Sequence, residues 1–177
     1  MADVATLDAW RPYICEMLGR DPRGLRDIVA WDDAGRPSVI QVAAVVQGKP
    51  FPTLFWLIDP ILNLAIDRLE AQGVIAQLQA RVNASQVLRD EMLEDHRKHR
   101  ALRDLAITTE ERKFLEVSGM ISAFTQRGIG GIKEPDRVRC LHTWYAAHCV
   151  EANAIGTLVD DILRDSNHPA SPHVETS

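Results

Sequence analysis

The sequence predicts an α+β fold: a small N-terminal antiparallel sheet packed on a mainly helical C-terminal part. Three observations carry that expectation. Two Val- and Ile-rich runs, at 25–31 and 37–46, are separated by Asp32-Asp33-Ala34-Gly35, which is hairpin chemistry. From Asp59 onward, apolar residues recur at helical spacing between capping residues. The hydrophobic share is 46% over 177 residues, enough for a core and too high for a disordered chain. The simplest organisation is one globular domain over residues 1–164, with a helix and the sheet in 1–57 and helices in 58–164. Residues 165–177 carry two prolines and polar side chains and read as a loose tail.

Taken in order, residues 6–19 start with a cap at Thr6 and place Leu7, Trp10, Ile14, Met17 and Leu18 on one side of a helix that Gly19 ends. Pro12 should sit in the first turn or interrupt the helix. Arg20-Asp21-Pro22-Arg23-Gly24 is a tight polar turn: solvated punctuation, or an anion clamp built from guanidinium forks. Gln47-Gly48-Lys49-Pro50 is a second turn, and residues 51–57 form a short third strand kept to an edge by Pro52. Asp59-Pro60 opens a helix that runs to Gly73. Residues 74–106 follow as one helix or two, with Asn83 and Ser85 offering a break and a new cap. Thr108-Thr109-Glu110-Glu111 is a helix N-terminus, and Gly128–Gly131 stops that helical stretch. Pro135 then permits a helix through His148, and a last short one carries Leu158, Ile162 and Leu163.

Charge narrows the function classes. Twenty basic and 25 acidic residues give a net charge of −5, which weighs against non-specific nucleic-acid binding. The start of the chain lacks the basic and apolar regions of a signal peptide. The most apolar stretch, near residues 51–66, is broken by Pro52, Asp59, Pro60 and Asn63, so no membrane insertion is expected. Three cysteines with no Cys-x-x-Cys pair suit free thiols in a cytoplasmic protein.

Chemistry-bearing residues concentrate in Arg137-Val138-Arg139-Cys140-Leu141-His142 and its continuation to Cys149. On a helix over 136–150, at 100° per residue, Cys140 and His142 fall on nearly opposite sides. That weighs against one metal held by Cys140, His142 and His148, and no metal ligands are assigned. A helix that started late would let Cys140-x-His142 converge. Cys140 is otherwise a nucleophile flanked by Arg137 and Arg139, with His142, His96 or His99 as base, or simply a small buried hydrophobe. Gly130 and Gly131 before a helix suit anion binding, although the Gly-Lys-Ser/Thr ending of a nucleotide-triphosphate loop is absent. His96, His99, Arg100 and Arg103 share a helix face, either a solvated charged face or one wall of an anion pocket. His99 is also in register with Leu88, Met92 and Leu102, where a hydrogen-bonded core histidine would fit.

Over most of its length, from about residue 18 to 163, the chain resembles the uncharacterised bacterial family called domain of unknown function 501. The residues that carry the likeness are Leu18-Gly19-Arg20-Asp21-Pro22-Arg23-Gly24, Gly35-Arg36-Pro37, Pro50-Phe51-Pro52-Thr53-Leu54-Phe55-Trp56-Leu57, Arg68-Leu69-Glu70, Arg137–His142 and Asn153-Ala154-Ile155-Gly156. The resemblance implies no assigned activity. It implies a cytoplasmic housekeeping setting, with genes lying near those for enolase, a small septum protein and an exopolyphosphatase. It marks Arg20, Arg23, Thr53, Arg139, Cys140 and His142 as site candidates. The chain departs from the family at Ala147, where a second histidine is usual and here comes one residue later, at His148.

The leading expectation is a pocket for a small anionic ligand, such as a phosphorylated one. Arg20, Arg23, Thr53, Arg100 and Arg139 would bind it, and Cys140 and His142 would supply catalytic groups. No cofactor follows from the sequence, and neither does a reaction. The rivals are a metal-binding protein and a non-enzymatic interaction module tied to division or the envelope. The module would dock a protein partner or a second copy on residues 51–57 or on the long helix.

Overall fold

The computed structural model of the chain describes residues 3–167. The elements are α1 (Val4–Leu18), β1 (Leu25–Trp31), β2 (Pro37–Val42), β3 (Val45–Val46), β4 (Lys49–Pro50), β5 (Phe55–Leu57), α2 (Pro60–Ala71), α3 (Val74–Ala84), α4 (Gln86–Ala106), α5 (Thr109–Val117), α6 (Ile121–Gln126), α7 (Leu141–His148) and α8 (Ala154–Asn167). The fold is α+β. β1, β2 and β5 form an antiparallel sheet in that order, and β3–β4 is a separate hairpin. The helix α8 runs three residues past the expected boundary at 164; the rest of the expected tail lies outside the described residues.

Alternation along the strands gives the sheet two apolar faces. Ile28, Ile40, Val42 and Trp56 meet α1, with Ile14 fully buried at the centre. Val39, Phe55 and Leu57 face the helical layer, where Leu141, Trp144 and Ala146 of α7 and Ile155 and Val159 of α8 complete the larger core. Pro12 lies inside α1 rather than at its start, because Asp3 and not Thr6 is the cap: its carboxylate accepts the Thr6 N–H at 2.7 Å. An interior helix proline costs about 3 kcal/mol. Burying side chains the size of Ile14 returns about 1.5–3 kcal/mol each, so packing on the sheet offsets it.

The expected strand at 37–46 ends early. At Ala43 the chain leaves the sheet, its N–H bonding to the Gly24 carbonyl at 2.7 Å, and β3 turns back through Gln47-Gly48. Both residues have positive φ, 51° and 70°, the backbone of a two-residue hairpin turn. The third strand shrinks from 51–57 to Phe55–Leu57, in register with Gln41, Ile40 and Val39 of β2. Pro52 has no N–H to give a ladder.

Asp59 caps α2 and Ser85 caps α4. Thr108 and Glu111 form a reciprocal capping box on α5. The buried Glu111 carboxylate also takes the Arg26 guanidinium at 2.9 Å and the Val45 N–H at 3.3 Å.

The largest correction concerns α7. The helix expected from Pro135 begins only at Leu141. Gln79 of α3 holds the preceding segment out of helix: its Oε1 accepts the Val138 N–H at 2.9 Å, and its Nε2 donates to the Asp136 carbonyl at 2.9 Å. Cys140 is therefore the N-cap, with extended φ −146° and ψ 121°, and makes no side-chain cap bond. Among the described residues no helix is long and apolar enough to cross a membrane.

Candidate functional site

Two polar sites emerge, and the sheet separates them. The first is a basic cleft of about 460 Å³ lined by Arg20, Asp21, Arg23, Val46, Gln47, Lys49, Phe51 and Trp56. Gly19 ends α1 in the left-handed conformation, with its own N–H and that of Arg20 returned to the last-turn carbonyls of Glu16 and Cys15. That cap projects Arg20 over the Trp56 ring, 4.8 Å from its centroid. Gly24 is required close by: with φ +83°, a Cβ there would come within 2.7 Å of Val46. The second wall is the β3–β4 hairpin. Gln47 Oε1 accepts from Arg23 Nη1 at 3.1 Å, and Lys49 stands two residues on. Phe51 packs edge-on against Trp56, with ring centroids 5.5 Å apart, and the two make an aromatic floor. The single acid, Asp21, is already engaged by Arg11 at 3.3 Å. The cleft thus presents three cations beside two aromatic rings, a combination suited to an anion with a flat or apolar part.

The second site lies at the start of α7, on the opposite face of the sheet. Because Cys140 sits just outside the helix, its Sγ comes within 3.9 Å of His142 Nδ1. The same nitrogen lies 3.4 Å from Glu70 Oε1 of α2, and Nε2 lies 3.3 Å from Asp67 Oδ1, one turn earlier on α2. Glu70 also accepts the Leu141 N–H at 2.6 Å, which supplies from α2 the cap that Cys140 does not make. The hydrogen bond with Cys140, and then the negative charges of Glu70 and Asp67, push the His142 imidazole up to about 9. Cys140, His142 and Glu70 are each half-buried.

The remaining expected residues do not join either site. Arg139 is exposed, 3.7 Å from Glu134. Arg100 lines a different cleft, with Arg97, Ala101, Arg103, Asp104, Ile107 and Thr125. Thr53 is half-buried before β5 and is not among the residues lining the basic cleft. The cleft that holds Arg20 and Arg23 is lined by neither Cys140 nor His142, so the expected common hollow does not form. The docking stretch proposed at 51–57 is largely internal: Leu54, Phe55 and Leu57 are buried.

The His96–Arg103 face is not the solvated charged face that was one of its two expected readings. His96, His99 and Arg103 are buried, and only Arg100 of the four is partly open. His96 Nε2 donates to the Pro135 carbonyl at 3.1 Å while Nδ1 accepts the Ile129 N–H at 3.0 Å, which fixes a neutral tautomer. Burial holds that ring down to about 4 and His99 down to about 3. Arg103 donates to the carbonyls of Pro52, at 3.0 Å, and of Arg127, and lies over the Phe124 ring. His148 is also structural. It meets Asp160 at 3.1 Å through Nε2 and accepts the Asn153 N–H through Nδ1, and Tyr145 donates to the same Asp160 at 2.7 Å. Gly156 is needed there, since a Cβ would fall 2.1 Å from the His148 ring.

Sequence reasoning missed Lys49, Gln47, Asp67 and Glu70 as site residues. Phe51, Trp56 and Glu70 nevertheless fell within motifs that carry the family likeness. A family model described as "Protein of unknown function (DUF501)" matches residues 28–161, a span that begins after Arg20 and Arg23 and includes Cys140 and His142. No curated protein and no solved structure matches the chain.

Proposed function

Since the chain belongs to the family of unknown function DUF501, whose description assigns no activity, we propose that it binds a small anionic, phosphorylated ligand in the basic cleft between α1 and the β3–β4 hairpin. The observation that carries this reading is the convergence of Arg20, Arg23 and Lys49 on one cleft floored by Phe51 and Trp56. Guanidinium forks match phosphate geometry, and Arg20 already lies over the Trp56 ring, which lowers the ordering cost of binding. The aromatic floor favours a ligand that carries a ring next to its phosphate. Of the residues expected from sequence, Arg20 and Arg23 keep a binding role here. Thr53, Arg100 and Arg139 lie outside the lining of this cleft.

The test is a thermal-shift and tryptophan-fluorescence titration with inorganic phosphate, nucleoside mono- and diphosphates and carboxylates. A phosphorylated compound at 100 times its Kd should stabilise the fold by about 2.7 kcal/mol. Arg23→Ala and Lys49→Ala should each weaken it roughly 10- to 150-fold, since a charge-assisted bond contributes about 1.5–3 kcal/mol. Stabilisation that persists unchanged in an Arg20→Ala/Arg23→Ala double variant would remove the cleft from the account, as would no response to any of these compounds.

A further inference from the structure

We propose that Glu70, Cys140 and His142 form a binding site for a thiophilic divalent metal ion, with zinc the best fit. This site is independent of the basic cleft, from which the sheet separates it.

One ligand atom from each residue lies within 4.8 Å of the other two. The separations that define the cluster, 3.9 Å from Sγ to Nδ1 and 3.4 Å from Nδ1 to Glu70 Oε1, are close to what a tetrahedral ion imposes. Bonds of about 2.3 Å to sulfur and about 2.0–2.2 Å to nitrogen and oxygen place such ligands roughly 3.4–3.6 Å apart. The third pair, Cys140 Sγ and the Glu70 carboxylate, lies within 4.8 Å, and side-chain rotation that draws these two together would close the set.

Asp67 gives the cluster its second layer. With its Oδ1 3.3 Å from His142 Nε2, it orients the ring so that Nδ1 faces Glu70 and Cys140. A carboxylate on the far nitrogen of a ligating imidazole fixes the tautomer and raises ligand basicity. Sulfur and imidazole together select zinc over magnesium or calcium, which take oxygen. The ligands are also braced: Glu70 is tied to α7 by the Leu141 N–H at 2.6 Å, and Thr143 Oγ1 donates to the Cys140 carbonyl at 3.0 Å. Three protein ligands and half-burial leave the fourth position to water or an incoming group, the pattern of an open zinc site.

The same contacts describe a metal-free ion network joining α2 to α7, and cobalt substitution separates the two. Purified full-length protein, stripped with chelator, is titrated with Co²⁺. The expected result is one equivalent bound, with tetrahedral d–d absorption and a thiolate-to-cobalt charge-transfer band, both lost when Zn²⁺ is added. Cys140→Ser keeps the shape and should lose the charge-transfer band. Asp67→Asn should weaken binding about 10–100-fold, and Cys149→Ala should change neither quantity. Circular dichroism confirms that each variant is folded. The wild-type titration decides the question alone if no tetrahedral spectrum appears, because that protein is folded; the proposal then fails. It fails equally if the charge-transfer band survives in Cys140→Ser.

Discussion

The ring of His96 occupies the space that a side chain at Gly128 would need: a Cβ there would fall 2.1 Å from Nδ1. The glycine that seemed to mark only the end of a helix lets the 128–131 turn close over a buried imidazole. Gly128→Ala must push that ring away and break its bonds to Ile129 and Pro135. The expected loss is about 2–3 kcal/mol, read from urea unfolding. A change below about 0.5 kcal/mol would mean the ring has room to move.

Buried neutral His96 makes stability depend on pH. The folded ring takes up its proton only near 4, held down by burial, whereas the unfolded ring does so near 6.5. Between those values the unfolded chain binds more protons, so stability falls as pH drops through that window and is fully present above it. The expected contribution is up to about 1.4 kcal/mol per pH unit. It is measured as the difference in slope between the wild type and His96→Gln in denaturant titrations from pH 7 to pH 4.5. Equal slopes would show that His96 is not held neutral.

Arg103 is a buried cation that joins two loops through their carbonyls and faces no carboxylate among its hydrogen-bond partners. Lysine cannot span both Pro52 and Arg127 with one fork. Arg103→Lys should therefore cost about 1.5–3 kcal/mol, whereas Arg97→Ala, at an exposed pair with Glu94, should cost less than about 1 kcal/mol. Comparable losses in thermal unfolding of the two variants would contradict this account.

Burial, and then the charges of Asp160 and Asp59, push the Cys149 thiol up to about 11. At pH 7.5 its thiolate fraction is on the order of one in a thousand or less. Iodoacetamide at that pH should leave Cys149 unmodified in the folded protein and label it in urea. Peptide mass mapping reads the result, and rapid labelling of the native chain would overturn it.

Elements governed by local chemistry were legible in the sequence. The caps at Asp59, Ser85 and Thr108, the α3–α4 break and the 32–35 hairpin all follow from nearest neighbours. What failed depended on distant partners. Gln79, almost sixty residues upstream, keeps residues 137–140 out of a helix, and no local pattern announces it. That single shift reverses the wheel argument that set Cys140 and His142 apart. The charged look of α4 misled for the same reason: His96 and Arg103 are satisfied by carbonyls of Pro135, Pro52 and Arg127, which lie far along the chain. Arg20 and Arg23 reach the cleft because a tight turn between regular elements projects its side chains by local geometry, whereas Lys49 and Gln47 join them only through the fold of the hairpin.

Glu111 answers to three parts of the chain at once: its own helix cap, Arg26 of β1 and the Val45 amide. Cutting the polypeptide after α4 would strip the first strand of its counter-charge and leave an amide of the hairpin without an acceptor. The hairpin that carries Lys49 would lose an anchor as well. Glu111 therefore supports the cleft through the strand and hairpin it ties together, although it does not line the cleft itself.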